Sequence, residues 1–428
     1  MLDIKLIREN ADEVARALAK RGETVDFAEL LVWDKERREC IGRVTELRAR
    51  RKTVSADIPK LKKAGKDTAA LQAEMKTVGE TIKNLEGRLA EVEARIDAFM
   101  AMLPNLPAED VVPGGKEHNA VVRTFGAPPA FDFEPRNHVD LVTRLGLVDY
   151  ERGVKLGGNG FWLYRDDGAR MEWGLLNYFV ERHLAAGYEF ILPPHILIHQ
   201  CGYTAGQFPK FKDDVFHLQG EEGKDARHFL LPTAETALIN LHRDEILKED
   251  RLPLKYFAYT PCYRKEAGSY RAGERGMIRG HQFNKVEIFQ YTRPEDSAAA
   301  LEEMVAHAES LMQGLGLHYR VSKLAAADCG ASMAKTYDVE VWIPSMKEYK
   351  EVSSASNAHD FQARRGAIRF RRAATGQNEL VHTLNASGLA TSRLLPAIVE
   401  QGQRKDGSVV VPEALRAAVG KEILRPVQ

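Results

Sequence analysis

PCYRKEAGSYRAGERGMIRGHQFNKVEIFQ, residues 261–290, is the stretch whose reading decides the fold. On its two flanks, over 256–264 and 283–291, apolar and polar residues alternate as they do in paired antiparallel strands. The loop between them is rich in glycine and arginine, and Arg264, Lys265, Arg271, Arg275, Arg279 and Lys285 crowd around it. Glycine lets a backbone come close to a ligand, and a guanidinium grips a phosphate through two parallel hydrogen bonds. The period of two places Arg264 and Glu266 on one face of the first strand and Phe283 and Glu287 on one face of the second. An aromatic ring, two carboxylates and several guanidiniums on one hairpin suit a purine, a triphosphate and an ammonium group. A basic surface hairpin with Phe283 in the core is the plainer reading of the same residues.

Working outward, residues 169–186 (ARMEWGLLNYFVERHLAA) read as an amphipathic helix, followed by GYEFILPP, a strand ending in prolines. A helix is expected over 297–315, with Leu301, Met304, Val305, Ala308, Leu311 and Met312 on one face. Tyr337, Val339, Val341 and Ile343 alternate as a strand, 349–354 continue the pattern, and a last helix follows Ser387. Hairpins with occasional helices predict an α+β catalytic domain on a mostly antiparallel sheet flanked by helices.

Toward the N-terminus the texture is helical. Leu71, Met75, Val78, Ile82, Leu85, Leu89, Val92, Ile96 and Phe99 follow one another in steps of four and three, a heptad seam. Leu47, Val54, Ile58 and Leu61 begin a second seam before it, and Ala64-Gly65-Lys66-Asp67 is a polar turn between the two. The pattern predicts a long antiparallel helical hairpin, a coiled coil with helices on the order of 45–50 Å. Pro59 should kink the first helix near its tip, and Pro104 and Pro107 should end the second. Residues 46–66 carry eight Lys/Arg against two acids, a basic strip on a chain whose 61 basic and 61 acidic residues cancel. Such a strip is either a solvated face or a contact for nucleic-acid phosphates. The expected organisation is 1–103, an N-terminal domain with a helical arm over about 28–103; 104–168, a linker leading into the next domain; and 169–428, the catalytic domain.

Length and composition bound the rest. The chain has 428 residues, enough for two or three domains at roughly 150 residues each. Its 44 % apolar content excludes a disordered or collagen-like chain. No apolar run approaches the length of a membrane span, and MLDIKLIREN lacks the apolar core of a secretory signal. Cys40, Cys201, Cys262 and Cys329 lie far apart with no C-x-x-C pair, which argues against a disulfide scaffold and suits a reducing cytoplasm. G-x-x-x-x-G-K-[ST], a G-x-G-x-x-G turn, H-E-x-x-H and G-x-S-x-G are all absent, so any nucleotide must be held in another way.

Residues 261–290 resemble motif 2 of the class II aminoacyl-tRNA synthetases in its seryl-tRNA synthetase form. LLPTAETALINL (230–241) resembles that family's serine-site loop, VWIPSMKEYKEVSSASNAHDFQARR (341–365) its metal and ATP segment, and LNASGLATSRLLPAIVE (384–400) its motif 3. GYEFILPP resembles motif 1, the dimer-interface strand, and the N-terminal hairpin resembles the family's tRNA-binding arm. The resemblance covers nearly the whole chain in the right order.

It implies serine–tRNA ligase activity: activation of L-serine with ATP, then transfer to the 3′ end of tRNA(Ser), with tRNA(Sec) a further acceptor, by a homodimer. Arg264 and Arg393 would be catalytic. ATP would meet Arg264, Lys265, Glu266, Arg279, Phe283, Glu351, Val352, Ser353, Ser354 and Arg393, with Phe283 on the adenine and Arg393 on its opposite face. Glu351 and Ser354 would bind Mg²⁺. Simple alternation pairs Glu351 with Ser353, so a bulge is needed to bring Ser354 round. Serine would meet Thr233, Ala234, Glu235, Arg264, Glu287, Asn385 and Ser387, and the arm would offer Arg48, Arg50, Arg51, Lys52, Lys60, Lys62 and Lys63 to tRNA. The chain departs from the family pattern at Ala355, where cysteine is usual, at Ala386, where glycine is usual, at Thr391-Ser392, in the loop SYRAGERG and at Pro396 in the first turns of the final helix. Two other readings are a paralogue serving antibiotic biosynthesis or self-resistance, and an inactive RNA-binding adaptor.

Overall fold

A computed structural model describes residues 1–220, 227–266 and 276–427. Arg271 and Arg275 of the motif 2 loop lie outside the described residues. The chain forms two compact units, Leu2–Arg16 with Thr24–Leu103, and Met1 with Ala17–Glu23 and Pro104–Gln428.

In the first unit, α1 (Ile4–Ala19) precedes the hairpin of α2 (Ala28–Lys63) and α3 (Ala69–Met102). At 1.5 Å per residue the two long helices measure about 50 Å each. The turn falls where its composition places it, with Gly65 at φ +71°, a conformation open to glycine. Pro59 does not end α2, which runs on to Lys63. Val44, Leu47, Met75, Val78 and Ile82 are the buried seam, with Val54, Ile58 and Leu85 packed against it. Ion pairs bridge the two helices from outside: Arg48 to Glu86 at 2.6 Å, Arg88 to Glu36 at 2.5 Å, and Arg50 to Glu74. Asp34 is fully buried, and Arg8, Arg37 and Arg38 converge on it within 3.2 Å. Burial pushes the Asp34 carboxyl up, but these guanidiniums win and hold it below the usual range.

The second unit is built on an eight-stranded sheet. Its strands are β1 (Ala120–Phe125), β2 (Glu189–Ile191), β3 (Leu254–Tyr263), β4 (Gln282–Thr292), β5 (Tyr319–Lys323), β6 (Lys335–Ile343), β7 (Glu348–His359) and β8 (His382–Ala390), in spatial order β1-β5-β6-β7-β8-β4-β3-β2. Every pairing is antiparallel except the last: β2, the GYEFILPP strand, runs parallel to β3. One face is covered by α4 (Asp166–Ala185), α5 (Ser297–Gly314) and α6 (Thr391–Gln401), whose Phe179, Met304 and Leu395 share a core with Val286, Ile288, Val339, Val341 and Leu384 of the sheet. The opposite face is open over β4, β6, β7 and β8, and there the polar members of the alternation emerge.

Two expectations need adjusting. Residues 104–168 are part of this unit: they supply the edge strand β1, and Leu141, Val142 and Leu147 enter the core. A helix does follow Ser387, but it is not the last. Strand β8 continues to Ala390, α6 starts at Thr391 with Pro396 inside it, and a further helix follows over Glu413–Val419. The pairing of Ser387 with Glu287 and of Ala390 with Lys285 keeps β8 extended to that point, where apolar periodicity alone could not mark the change.

Candidate active site

The open face of the sheet carries the predicted side chains in register. Strands β3 and β4 pair from Leu254↔Tyr291 to Tyr263↔Gln282, so Phe283, Lys285 and Glu287 follow one another along one face of β4. Ser387 of β8 stands directly across from Glu287. Lys285 is buried, with Nζ 2.6 Å from the Thr233 hydroxyl and 2.6 Å from Glu287 Oε2. The Glu287 side chain is itself buried, and this ammonium is its charge partner. Glu235 opens a short helix, Glu235–Leu238, and accepts a hydrogen bond from Gln362 at 2.7 Å. Burial, and then the neighbouring Glu287 carboxylate, push the Glu235 carboxyl up to about 7. An incoming ammonium would pull it back down. Ala234 is buried beneath this turn, and the Asn385 amide lies 3.7 Å from Met333 Sδ.

The phosphate side is organised by backbone carbonyls. Arg264 donates from Nε to the Pro232 carbonyl at 3.2 Å, and its guanidinium lies 5.2 Å from the Phe283 ring centre. Arg393 donates to the Ile278 and Glu351 carbonyls at 3.2 and 2.7 Å, and approaches the Glu351 carboxylate at 3.5 Å. Arg279 pairs with Glu266. The Lys265 side chain is exposed, although its amide bonds the Asp214 carbonyl.

The bulge that the metal pair requires is present. Val339 pairs with Ser353 and Glu340 with Glu351, which leaves Val352 as the extra residue. Val352 joins the core and Ser353 turns under the strand to donate to the Ser387 carbonyl at 2.6 Å. Glu351 and Ser354 thereby face the same cavity, which Asp338 and Glu340 also line. Asp338 Oδ1 is buried without a hydrogen-bond partner among the described residues. Burial, with Glu351 nearby, drives the Asp338 carboxyl well above its ordinary range. A hard-oxygen set with an orphaned oxygen fits Mg²⁺, which takes one or two carboxylates and completes its shell with phosphates and water. No cluster of three or more His, Cys, Asp or Glu placed to hold a metal exists among the described residues.

Three adjoining cavities join these groups. The first, about 560 Å³, is lined by Thr233, Arg264, Glu266 and Arg279 among others. A narrow slot of about 90 Å³ contains Arg264, Phe283, Lys285, Glu351, Ser387 and Arg393. The third, about 240 Å³, holds Glu351, Ser354, Asp338 and Arg393. Arg264 is common to the first two, and Glu351 and Arg393 to the last two.

Comparison with known proteins places this geometry. A family profile described as the seryl-tRNA synthetase N-terminal domain matches residues 1–107, and the tRNA synthetase class II core domain (G, H, P, S and T) matches 216–402. Serine–tRNA ligase 2 of Clostridium acetobutylicum is 62 % identical over 425 residues, 99 % of this chain and 100 % of that protein. The chain belongs to the seryl-tRNA synthetase family. The serine–tRNA ligase of Thermodesulfovibrio yellowstonii is 46 % identical over 99 % of this chain and 100 % of its own length. Among solved structures, seryl-tRNA synthetase from Pyrococcus horikoshii complexed with ATP superposes with a TM-score of 0.92, 34 % identity and full coverage of both chains. A cytoplasmic serine–tRNA ligase from Naegleria fowleri with AMP gives 0.87 at 28 % identity, covering 100 % of this chain and 99 % of that one.

Ala355 and Ala386 are cross-strand partners on β7 and β8, both fully buried. Asp338 lines a cavity that motif reading did not assign to it, and Lys285, read there only as one of the cations around the loop, joins Thr233 to Glu287. For Lys285 the signal was its place between Phe283 and Glu287 on one strand face; for Asp338 it was a carboxylate at a polar position among alternating apolar ones.

Proposed function

We propose that this chain activates L-serine with ATP and transfers the seryl group to the 3′ end of tRNA(Ser), with tRNA(Sec) a further acceptor. The observation that carries the reading is two adjoining cavities that share Arg264: the wider is lined by Thr233, with Glu235 and the Lys285–Glu287 pair behind it, and the slot holds Phe283 and Arg393. ATP would enter bent, with its adenine between Phe283 and Arg393 and its phosphates among Arg264, Arg279 and Arg393. Glu266 and Val352 border the same slot. Lys265, exposed beside them, would reach the phosphates from outside. Glu351 and Ser354 would hold Mg²⁺, which when bound offsets phosphate charge. The serine ammonium would go to Glu235 and the Thr233 hydroxyl, and the serine hydroxyl to Glu287 and Ser387. Ala234 and Asn385 would wall the site.

The serine carboxylate oxygen then attacks the α-phosphorus in line. A phosphorus–oxygen bond forms to the carboxylate, the bond to the bridging oxygen breaks, and pyrophosphate leaves with the electron pair. The carboxylate is already ionised, so no general base is needed. Rate comes from alignment and from guanidiniums held in place by the Pro232, Ile278 and Glu351 carbonyls before substrate arrives. A ribose hydroxyl of the terminal adenosine next attacks the acyl carbon and releases AMP. Alanine would lack the hydroxyl that meets Glu287 and Ser387, a basis for rejection.

On the arm, Arg51, Lys52, Lys62 and Lys63 are exposed and have no ion pair among the described residues, whereas Arg48, Arg50 and Lys60 are shared with Glu86, Glu74 and Asp57. The unpaired four would lead the contact with tRNA phosphates. A homodimer would form at the β2 edge, where Leu192 is 72 % and Ile196 51 % exposed. No described helix is long and apolar enough to cross a membrane, and the cytoplasm is the proposed workplace. No observation favours the reading as a biosynthetic or resistance paralogue. The test is serine-dependent ATP–pyrophosphate exchange against alanine and threonine, followed by charging of purified tRNA(Ser). Exchange with serine alone among the three, followed by charging, is expected; exchange with none would overturn the reading.

A further inference from the structure

Behind the slot, outside every cavity already described, lies a buried carboxyl that the mechanism does not use. Glu172, on α4, is 4 % exposed. Its Oε1 accepts from the Asn284 amide at 2.7 Å and from the Thr391 hydroxyl at 2.6 Å. The same hydroxyl lies 3.3 Å from the Asn284 carbonyl, and Tyr259 of β3 donates to the Asn284 side chain at 3.2 Å. One oxygen atom thus ties together α4, β4 and the first residue of α6. Asn284 is the neighbour of Phe283 in sequence, and Thr391 is two residues before Arg393. These are the two sides of the slot that would hold the adenine.

We propose that Glu172 is a positioning residue that sets the separation of Phe283 and Arg393, and so the fit of the purine ring between them. The proposal rests on the ATP reading above. Both sides of the slot have other restraints at their far ends: Arg393 is capped by the Ile278 and Glu351 carbonyls, and Phe283 lies under Arg264. Near the polypeptide backbone, the shared acceptor joins β4 to α6 beside the Ala390↔Lys285 ladder pair. Losing this acceptor strands the half-buried Asn284 amide and leaves the buried Thr391 hydroxyl only the Asn284 carbonyl at 3.3 Å. The slot is only about 90 Å³, so a small outward shift of either side matters to a flat ring. Serine lies at the other end of the cup, against Thr233 and Glu235, and does not touch this layer.

The test compares Glu172→Leu, which keeps volume but removes the acceptor, with Glu172→Gln, which keeps a carbonyl oxygen in place. Burial raises the Glu172 carboxyl above its usual range despite the hydrogen bonds from Thr391 and Asn284, so glutamine is a close substitute. Calorimetric ATP binding is measured for each, together with KM for ATP and for serine in the exchange reaction. Glu172→Leu is expected to weaken ATP about tenfold while the serine KM stays within about twofold. Glu172→Gln should remain within about threefold of the parent for ATP. An unchanged ATP affinity in Glu172→Leu, or an equal rise in both KM values, would overturn the proposal, since a merely structural role would move both. If Glu172→Leu fails to fold, Thr391→Val carries the test, with a rise in ATP Kd of about threefold expected and no change contradicting it. ATP binding needs no turnover. A parent without serine-dependent exchange would overturn the proposed reaction, while a selective loss of ATP affinity in Glu172→Leu would still uphold Glu172's role.

Discussion

The helical arm and the catalytic cup use the same residue types in opposite ways. On the arm, apart from the cluster on buried Asp34, arginine and lysine are mostly exposed and those that pair do so on the surface: Arg48 is 66 % and Lys60 77 % exposed at their side chains. In the cup, Lys285 is buried, and Arg264 and Arg393 are fixed by backbone carbonyls. Exposed cations interact weakly one at a time and are screened by salt, so they act by number. Buried cations are few, and each is tied to a particular partner. The arm should therefore tolerate single changes but not removal, and the cup should fail at single atoms.

The broadest test removes the arm. Replacing residues 45–100 with a short Gly/Ser turn should abolish charging of tRNA(Ser) while leaving serine-dependent exchange near its original rate. Equal loss of both would break the division of labour. Within the cup, Arg264→Ala should lower the exchange rate by about 10²–10³-fold, the scale for removing one preorganised donor at a developing charge. Lys285→Met leaves Glu287 buried without its cation, and a loss of about 3–5 kcal/mol in folding free energy is expected by denaturant titration. Wild-type stability after this change would mean that the pair is not the anchor its geometry suggests.

Much of this was legible beforehand because it is local or periodic. The heptad steps from Leu71 to Phe99 and the Gly65 turn specify the hairpin without reference to the rest of the chain. Strand alternation correctly placed Phe283 and Glu287 together, and Glu351 with Ser354 demanded a bulge, which is found at Val352. What was not legible depends on partners distant in sequence. The parallel pairing of β2 with β3 joins Glu189 to Tyr256, and neither segment alone reveals direction. Residues 104–168 looked like a linker because their apolar positions are dispersed among Pro and Gly, yet Leu141 and Val142 are fully buried by packing against distant elements. Thr233 meets Lys285 across 52 positions, beyond any spacing rule.

Two smaller effects sharpen the contrast. Glu235 titrates near 7, and its carboxylate is the form that receives an ammonium. Serine KM should therefore be flat above pH 7 and rise about tenfold per unit as pH falls below it. The stability of the free protein runs the other way. Because the folded-state value is raised, the contribution of Glu235 is full below the ordinary Glu range and is lost as pH rises through about 7. A serine KM independent of pH between 5.5 and 7 would remove Glu235 from the ammonium site. On the arm, Lys62→Ala alone should weaken tRNA binding only a few-fold, and reduce the slope of log K against log salt by about 0.7–0.9. No change in slope would place Lys62 off the RNA.

The most direct measurement is a crystal structure of the protein with a non-hydrolysable seryl-adenylate analogue. The cup predicts adenine between Phe283 and Arg393, the bridging phosphate at Arg264, and the ammonium within hydrogen-bonding distance of Glu235 and Thr233. An analogue bound elsewhere, or bound with its amino group away from Glu235, would contradict it.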